Sequence, residues 1–383
     1  MSIRRTLCIT NDFGPNLGGI ETFVIGLIER MPHGSVIVYT RSQPNTEPFD
    51  ARWLENYGVR VIRDKSKVLL PSLRVGRNVR RVVRDEQIES VFFGAAAPLA
   101  LLAAGVRRAG AKRIVALTHG HEVWWAKVFP FRCALRQMGK NLDALTYLGE
   151  FTRSQISKPL TKKARESMVR IAPGIDTEHF MPRTDIKDIQ DEHQLHGKRV
   201  IVCVGRLVNR KGQDVLIQSM PEILSKHPDA HLLIVGVGPH EDYLHELVHS
   251  LDLKNHVSFV GRVQHVEIRR YMSVGEVFAM PSRSRLGGLE VEGLGIVYLE
   301  ASACGLPVVG SLSGGAPDAV LEGETGLCVD GRNHLAVAGA IVELLDDPER
   351  ARAMGARGRE WIVQEWEWRV WSAAFNKLLE PTQ

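Results

Sequence analysis

Residues 285–315 read RLGGLEVEGLGIVYLEASACGLPVVGSLSGG, the most informative stretch of the sequence. Two carboxylates, Glu292 and Glu300, stand eight positions apart. The glycines between them, Gly293 and Gly295, expose backbone N–H groups at a helix start, where the helix dipole attracts phosphate. A helix that starts near Gly295 leaves Glu292 in the loop and puts Glu300 in the second turn. The pattern predicts a diphosphate site bracketed by carboxylates that suit sugar hydroxyls.

A surface loop followed by an ordinary helix would also fit these residues. The stretch nevertheless closely resembles the E-x7-E signature of retaining glycosyltransferases of family 4, and residues 303–309 (ACGLPVV) and Gly314 with Gly315 fit the same family. The resemblance extends through almost the whole chain. It is strongest to members that transfer mannose from GDP-mannose to phosphatidylinositol mannosides, and it implies an α/β fold of GT-B architecture, with two Rossmann-like parallel-sheet domains facing a cleft.

The length of 383 residues also favours two domains. The resemblance implies an acceptor-binding Rossmann-like domain at residues 1–170 and a nucleotide-sugar donor-binding Rossmann-like domain at residues 171–366. A C-terminal helix at about 367–383 is expected to cross back to the first domain. Proline and glycine at residues 171–182 (IAPGIDTEHFMP) support a linker there, and the polar stretch 183–198 predicts a mobile insertion.

Short apolar segments alternate with segments of helical periodicity in both halves. Residues 7–11 and 200–204 are each a predicted strand followed by a glycine-containing loop and a helix, which is the order of Rossmann-like units. Alternating strands and helices predict parallel sheets covered by helices. Further strands are predicted at residues 36–39, 59–62, 90–93, 113–118, 142–147, 232–235, 257–263 and 277–280.

Arg206 and Lys211 lie in the loop after the first strand of the second half, and the resemblance implies that they bind the diphosphate. A guanidinium and an ammonium suit that anion, although surface cations beside a turn are the alternative. The resemblance further implies ribose hydroxyls on Glu300, sugar hydroxyls on Glu292 and the nucleobase near Val263. The predicted donor-binding residues are Gly18, Gly19, Arg206, Lys211, Val263, Glu292, Gly293, Leu294, Gly295, Ile296 and Glu300.

His119 follows a predicted strand and resembles the histidine that family members direct at the donor sugar. The predicted catalytic residues are His119, Arg206, Lys211 and Glu292. No D-x-D motif occurs, so we expect neither a metal nor another cofactor, and the cations and the helix dipole would neutralise the leaving diphosphate. The family retains the anomeric configuration, which a front-face reaction would explain if the departing phosphate oxygen takes the acceptor proton.

The charge is unevenly distributed. Residues 1–170 hold 28 Lys and Arg against 14 Asp and Glu, whereas the remainder holds 21 against 30. A basic first half implies an anionic partner, and nucleic acid is not favoured because no nucleic-acid-binding motif accompanies the charge. No apolar run approaches the ~20 residues of a membrane span, and no signal sequence is evident. We therefore expect a cytoplasmic protein, peripheral on the inner face of the plasma membrane.

Two segments of the first half suit an anionic lipid surface. One is the aromatic and cationic segment 124–132, which contains Trp124 and Trp125. The other is a predicted helix, residues 73–84, for which a solvated face is the alternative. Its proposed lipid-contacting residues are Arg77, Arg80, Arg81 and Arg84.

The predicted function is transfer of mannose from GDP-mannose to a phosphatidylinositol mannoside lipid at the membrane surface. One alternative is a glycosyltransferase with another nucleotide-sugar and a soluble acceptor. The others are a non-hydrolysing nucleotide-sugar epimerase, a phosphorylase and a non-catalytic anion-binding protein. The sequence makes no prediction of the oligomeric state.

Overall fold

The computed structural model describes residues 5–15 and 18–381. Residues 16 and 17, part of the predicted glycine-rich turn before the first helix, lie outside the described residues. The chain forms two compact units, Met1–Gly174 with Trp368–Gln383, and Ile175–Glu367. Each unit is built around one parallel sheet.

The first unit contains a seven-stranded sheet whose strands are mostly buried, as expected for a sheet covered on both faces. The strands are Thr6–Ile9 (β1), Val36–Thr40 (β2), Arg60–Arg63 (β3), Ser90–Phe93 (β4), Arg113–Ala116 (β5), Ala144–Tyr147 (β6) and Met168–Arg170 (β7). They pair in the order β3-β2-β1-β4-β5-β6-β7. The order reverses between β1 and β4, and the carboxyl ends of such strands form a ligand-binding crevice.

Among the described residues, eight helices of the first unit precede its last strand. Ser72 caps one of them, because its Oγ accepts a hydrogen bond from the N–H of Val75 at 3.3 Å. The unit also contains a short 3₁₀ turn, Leu99–Leu102. The helices are Gly19–Glu29 (α1), Glu47–Tyr57 (α2), Leu73–Asp85 (α3), Ala103–Arg108 (α4), Glu122–Lys127 (α5), Phe131–Lys140 (α6), Glu150–Ile156 (α7) and Lys162–Glu166 (α8).

The second unit contains a six-stranded parallel sheet. Its strands are Arg199–Val204 (β8), Ala230–Val235 (β9), Val257–Gly261 (β10), Val277–Ala279 (β11), Val308–Ser311 (β12) and Gly326–Val329 (β13). They pair in the order β10-β9-β8-β11-β12-β13, so this sheet reverses between β8 and β11. The helices are Lys187–Glu192 (α9), Gln213–Lys226 (α10), Glu241–Ser250 (α11), Ile268–Ser273 (α12), Ile296–Ala303 (α13), His334–Asp346 (α14) and Pro348–Trp361 (α15).

Part of the stretch 183–198, predicted to be a mobile insertion, packs on the second unit. It contains α9, whose Ile189 is buried, and Leu195 beyond the helix is buried as well. Asp188 also pairs with Arg270 of α12 at 2.5 Å. Two apolar side chains within a polar stretch are sufficient to attach it to the second unit.

After a short π-helical turn, Ile362–Trp366, the chain returns to the first unit as helix Trp368–Leu378 (α16). The ring of Trp368 packs against α1 at Gly26, where an added Cβ would lie 2.4 Å from the indole. Phe375 packs edge-on against Phe92 of β4, with ring centroids 5.1 Å apart. The predicted fold class is confirmed, with two Rossmann-like parallel sheets and a C-terminal helix that crosses back.

Candidate active site

The loops after β8 and β11 meet at the point where the second sheet reverses its strand order. The loop after β8 carries Arg206 and ends in a 3₁₀ turn, Asn209–Lys211, before α10. Gly212 has a φ of +79°, and a Cβ there would lie 1.9 Å from the carbonyl oxygen of Pro281 after β11. Only glycine permits this backbone contact, which brings the cationic loop beside the loop that contains Glu292.

Glu292 is the centre of a cluster of charges and is only 9% exposed. Its Oε2 lies 2.8 Å from Nζ of Lys211 and 2.6 Å from Nη1 of Arg210. Burial raises the pKa of Glu292, but the charges of Lys211 and Arg210 outweigh burial and hold the pKa below its usual range. The carboxylate is therefore ionised at neutral pH and can accept hydrogen bonds from hydroxyls.

The direct contact between Glu292 and Lys211 differs from the sequence-based expectation, in which the carboxylate only bracketed the anion site. Arg210 also belongs to the charged cluster around Glu292 and was not among the predicted site residues. It also lies near Glu290, with Nε 3.8 Å from Oε1. The only available signal was the pair of adjacent cations in a loop after a strand, because the partners of Arg210 are about 80 residues away in the chain.

The predicted helix start is confirmed, since Gly295 precedes the first residue of α13, Ile296. Gly295 has a φ of +82°, and a Cβ there would lie 2.4 Å from the ring of Tyr298. The hydroxyl of Tyr298 donates to the carbonyl of Met280 at 2.6 Å, which fixes the first turn of α13 at the end of β11. Gly293 and Leu294 form the loop before this helix start.

Glu300 lies in the second turn of α13, and its side chain is 13% exposed. Its Oε1 is 3.5 Å from Nε2 of His265, in the segment after β10. The hydrogen bond with Glu300 raises the pKa of His265, against the opposing effect of burial. The pair joins the second carboxylate of the signature to the segment that contains Val263.

Val263 lines a cavity of about 320 Å³ beside the carboxyl ends of β8 and β9. The other lining residues are Arg206, Gly236, Val237 and Arg262. The cavity therefore joins the predicted nucleobase residue to one of the predicted diphosphate residues. Arg262 was missed by the sequence analysis, although its position at the end of a strand was a signal for a ligand-facing loop.

In the first unit, His119 follows β5 and lies against the end of β4. Its Nε2 is 2.5 Å from the carbonyl oxygen of Gly94. Burial lowers the pKa of His119, so the neutral imidazole prevails near pH 7. Because a carbonyl oxygen only accepts hydrogen bonds, Nε2 carries the proton and Nδ1 is the acceptor nitrogen.

A buried carboxylate supports this histidine. Glu122 is fully buried, and its Oε2 accepts a hydrogen bond from the backbone N–H of His119 at 3.0 Å. Nε2 of His121 lies 3.3 Å from Oε1 of Glu122, without hydrogen-bonding geometry. Asp12, after β1, has a raised pKa, first because of burial and then because of Glu21, while His121 opposes the shift. Glu122 and Asp12 were not among the predicted site residues of a glycosyltransferase.

Gly18 and Gly19 lie on the surface at the start of α1. Gly18 has an extended backbone before the first turn of the helix. An added Cβ at Gly19 would have nothing within 4 Å. The backbone there is open to a ligand, and both glycines belong to the first unit, whereas the charged cluster around Glu292 belongs to the second.

Helix α3 presents three of its four predicted lipid-contacting arginines, Arg77, Arg81 and Arg84, to solvent. Arg80 is half-buried, because its side chain lies along α4 at Gly105. Arg74, one turn before Arg77, is paired with the buried Asp64 at 2.7 Å. The exposed basic face is therefore narrower than the sequence pattern indicated.

Exposed apolar side chains accompany this basic face. Val68, Leu70 and Leu73 stand immediately before α3 or at its start and are 56%, 57% and 89% exposed. This group was not among the predicted lipid-contacting residues, although it directly follows Lys65 and Lys67 in the chain. Elsewhere in the unit lies the segment 124–132, which was predicted to contact lipid. Three of its aromatic side chains, Trp124, Trp125 and Phe131, pack on one another with ring centroids 4.7–5.5 Å apart.

Within the described part of the chain, no helix has the combination of length and apolar composition that crossing a bilayer requires. Among the same residues, His, Cys, Asp and Glu side chains do not form a group of three or more that could hold a metal ion.

The two parallel-sheet units, and the cation and carboxylate cluster at the switch point of the second, agree with the predicted glycosyltransferase of GT-B fold. Comparison with known proteins supports this assignment. Residues 17–179 match the family described as Glycosyltransferase Family 4, and residues 185–361 match the family described as Glycosyl transferases group 1. The chain therefore belongs to the family 4 glycosyltransferases of GT-B fold.

Several relatives match nearly the full length of the chain. The chain is 42% identical to a GDP-mannose-dependent alpha-(1-6)-phosphatidylinositol monomannoside mannosyltransferase of Mycolicibacterium smegmatis, over 97% of both chains. It is 39% identical to a GDP-mannose-dependent monoacylated alpha-(1-6)-phosphatidylinositol monomannoside mannosyltransferase of Corynebacterium glutamicum, over 98% of both chains. Among solved structures, HepE of Anabaena in complex with UDP superposes with a TM-score of 0.80 at 18% identity, covering 98% of this chain and 99% of that one. That likeness concerns the fold alone.

Proposed function

We propose that this protein transfers mannose from GDP-mannose to a phosphatidylinositol mannoside lipid at a membrane surface, with retention of the anomeric configuration. The observation that carries the proposal is the 42% identity, over 97% of both chains, with a mannosyltransferase of that donor and acceptor. The cluster of Arg210, Lys211 and Glu292 supports the reaction class, because it combines cations for a diphosphate with an ionised acceptor for hydroxyls.

The second unit binds the donor in this proposal. Arg206 and Lys211 bind the diphosphate, together with the backbone at the N-terminus of α13. Glu300 accepts hydrogen bonds from the ribose hydroxyls and Glu292 from the hydroxyls of the sugar. The nucleobase occupies the cavity beside Val263.

The first unit binds the acceptor, and its His119 offers Nδ1 as a hydrogen-bond acceptor for a sugar hydroxyl. In the transfer step the acceptor oxygen forms a bond to C1 of mannose while the bond from C1 to the phosphate oxygen breaks. That phosphate oxygen takes the acceptor proton, and GDP leaves. The fixed cations lower the barrier because they stabilise the charge that develops on the leaving group, with no divalent metal.

The membrane contact is formed by the face of α3 that carries Arg77, Arg81 and Arg84. Anionic lipid headgroups attract these exposed charges, while the neighbouring exposed side chains of Val68, Leu70 and Leu73 provide apolar area for the interface. The basic excess of residues 1–170 acts in the same direction. The protein is accordingly peripheral on the inner face of the plasma membrane.

The decisive experiment measures sugar transfer to vesicles that contain phosphatidylinositol monomannoside. GDP-mannose, UDP-glucose, UDP-N-acetylglucosamine and ADP-glucose are the alternative donors, with and without EDTA. We expect a mannosylated lipid and free GDP only with GDP-mannose, and unchanged transfer in EDTA. Transfer from another donor, or to water-soluble acceptors alone, would contradict the proposal. Loss of activity in EDTA that Mg²⁺ restores would contradict its metal-independent step.

A further inference from the structure

In the cluster of Arg210, Lys211 and Glu292, the shortest contact is made by Arg210, which has no role so far in binding GDP-mannose. Its Nη1 lies 2.6 Å from Oε2 of Glu292, the same oxygen that Lys211 contacts at 2.8 Å. Its Nε is 3.8 Å from Oε1 of Glu290. The Arg210 side chain is 27% exposed and that of Glu292 is 11% exposed, so the pair is largely shielded from water.

The two cations on Glu292 differ in what else they can do. Lys211 is a compact charge with rotatable donors, and a diphosphate beside it would compete with Glu292 for those donors. The guanidinium of Arg210 is a planar group with several donors, already directed at two carboxylates. When Lys211 binds phosphate, Arg210 is the cation that still contacts Glu292.

We propose that Arg210 is the positioning residue for Glu292, holding its carboxylate in place for the hydroxyls of the transferred sugar while Lys211 binds the diphosphate. This inference rests on the proposed function, because it assumes that Glu292 binds the sugar. Arg210 thereby contributes to recognition of the sugar, although its position next to Lys211 in the chain would suggest that Arg210 binds phosphate. The expected signature is a loss of affinity for GDP-mannose that exceeds the loss for GDP.

Calorimetric titration with GDP and with GDP-mannose tests this assignment in the whole protein and in Arg210→Gln. Removal of one partner of a charged hydrogen bond predicts a loss of about tenfold or more in GDP-mannose affinity. GDP affinity should change by less than about threefold. The matched control is Arg350→Gln, which removes an equally short contact of 2.6 Å, to Glu343, between exposed side chains of the same unit. The control should leave both affinities unchanged.

Arg210→Lys restores the charge and should recover part of the preference for GDP-mannose, which a purely structural role would not predict. The pH dependence offers a second readout. Burial raises the pKa of Glu292, but Lys211 and Arg210 lower it further than burial raises it. The Tyr298 phenol is another titratable group near Glu292, and Glu290 lies beside Arg210. Affinity that requires the carboxylate is lost as the pH falls through its pKa, so Arg210→Gln should move that loss to higher pH.

The outcomes separate the inference from the proposed function. A parent protein that does not bind GDP-mannose would overturn both. A parent that binds it, with equal losses for GDP and GDP-mannose in Arg210→Gln, would make Arg210 a phosphate ligand and overturn the inference alone. Unchanged affinities in Arg210→Gln would do the same. If Arg210→Gln fails to fold by circular dichroism, Arg210→Lys decides, because an unaltered preference and an unaltered pH profile would also reject the assignment.

Discussion

The two sheets reverse their strand order at equivalent places, but the polar groups there are satisfied in different ways. In the second unit, Lys211 and Arg210 contact Glu292 at 2.6–2.8 Å and lower its pKa. In the first unit, Oε1 of the buried Glu122 has no hydrogen bond within the described residues, and the pKa of Asp12 is raised. The carboxylate of the second unit is therefore paired with fixed cations, as suits a pre-ordered charged site. The first unit instead holds a buried carboxylate oxygen and a carboxyl of raised pKa that no fixed cation of the described residues pairs with at hydrogen-bonding distance.

The largest expected effect breaks the charged site. Lys211→Ala removes a phosphate-binding cation and leaves Glu292 with Arg210 alone. We expect kcat to fall by about 10²–10³-fold, as for loss of a group that stabilises developing negative charge. Lys226→Ala, which removes an exposed lysine from the same unit, is the control. A steady-state assay with GDP-mannose makes the measurement, and equal kcat in both variants would exclude Lys211 from the reaction.

The next effect concerns the surface of the first unit. Each basic residue near an anionic membrane contributes about 1 kcal/mol. Arg77/Arg81/Arg84→Ser should therefore weaken binding to phosphatidylinositol vesicles by about tenfold to a hundredfold in co-sedimentation. The parent protein should also be released by salt, because exposed charges are screened.

The control for this surface is Lys226/Arg350/Arg352→Ser, which removes the same charge from exposed positions of the second unit. It should bind vesicles as the parent does. Equal losses in the two triple variants would show that total charge, and not the face of α3, drives binding. A companion variant, Leu73→Ser, separates the apolar contribution, because it leaves the charge unchanged.

The sequence predicted most of the framework because its signals are local. Apolar runs and strand-end glycines located the strands and the loop that carries Arg206 and Lys211. The E-x7-E spacing located Glu292, Gly295 and Glu300. Three strands were not predicted: β7, of which only three residues pair, and β12 and β13 of the second sheet.

The rest of the site depends on contacts between distant parts of the chain. Arg210 was overlooked because its partner, Glu292, is 82 positions away. Arg74 was included in a basic helix because Asp64, which neutralises it, is buried only in the folded unit. Glu122 follows a recognised histidine, but its complete burial cannot be deduced from a polar loop sequence. Pairing and burial of charges are properties of tertiary structure, and local patterns do not encode them.

A smaller effect sharpens the assignment of the two carboxylates within the second unit. Glu300→Ala should weaken GDP binding by about tenfold, because it removes a charge-assisted hydrogen bond to the ribose. The parent should bind GDP more tightly than 2′,3′-dideoxy-GDP, and the variant should bind the two alike. Calorimetry with both nucleotides decides, since a variant that still prefers GDP would place the ribose on other residues.

The smallest expected effect is the pH dependence that His265 gives to nucleotide binding. Glu300 raises the pKa of His265, so the imidazole gains its proton as the pH falls through that raised value. The imidazolium then holds Glu300, 3.5 Å away, and competes with the ribose hydroxyls. His179 stacks on His265 with ring centroids 6.1 Å apart. The pKa of His179 is lowered by burial and by Arg269, so His179 stays neutral while His265 titrates.

Because of this competition at Glu300, GDP affinity should fall by about two- to threefold between about pH 8 and about pH 6. His265→Gln should abolish this fall, while His196→Gln, which alters an exposed histidine paired with Asp191, should retain it. Calorimetric titration of GDP across this range tests the prediction, and an equal fall in the parent and His265→Gln would assign the dependence to another group.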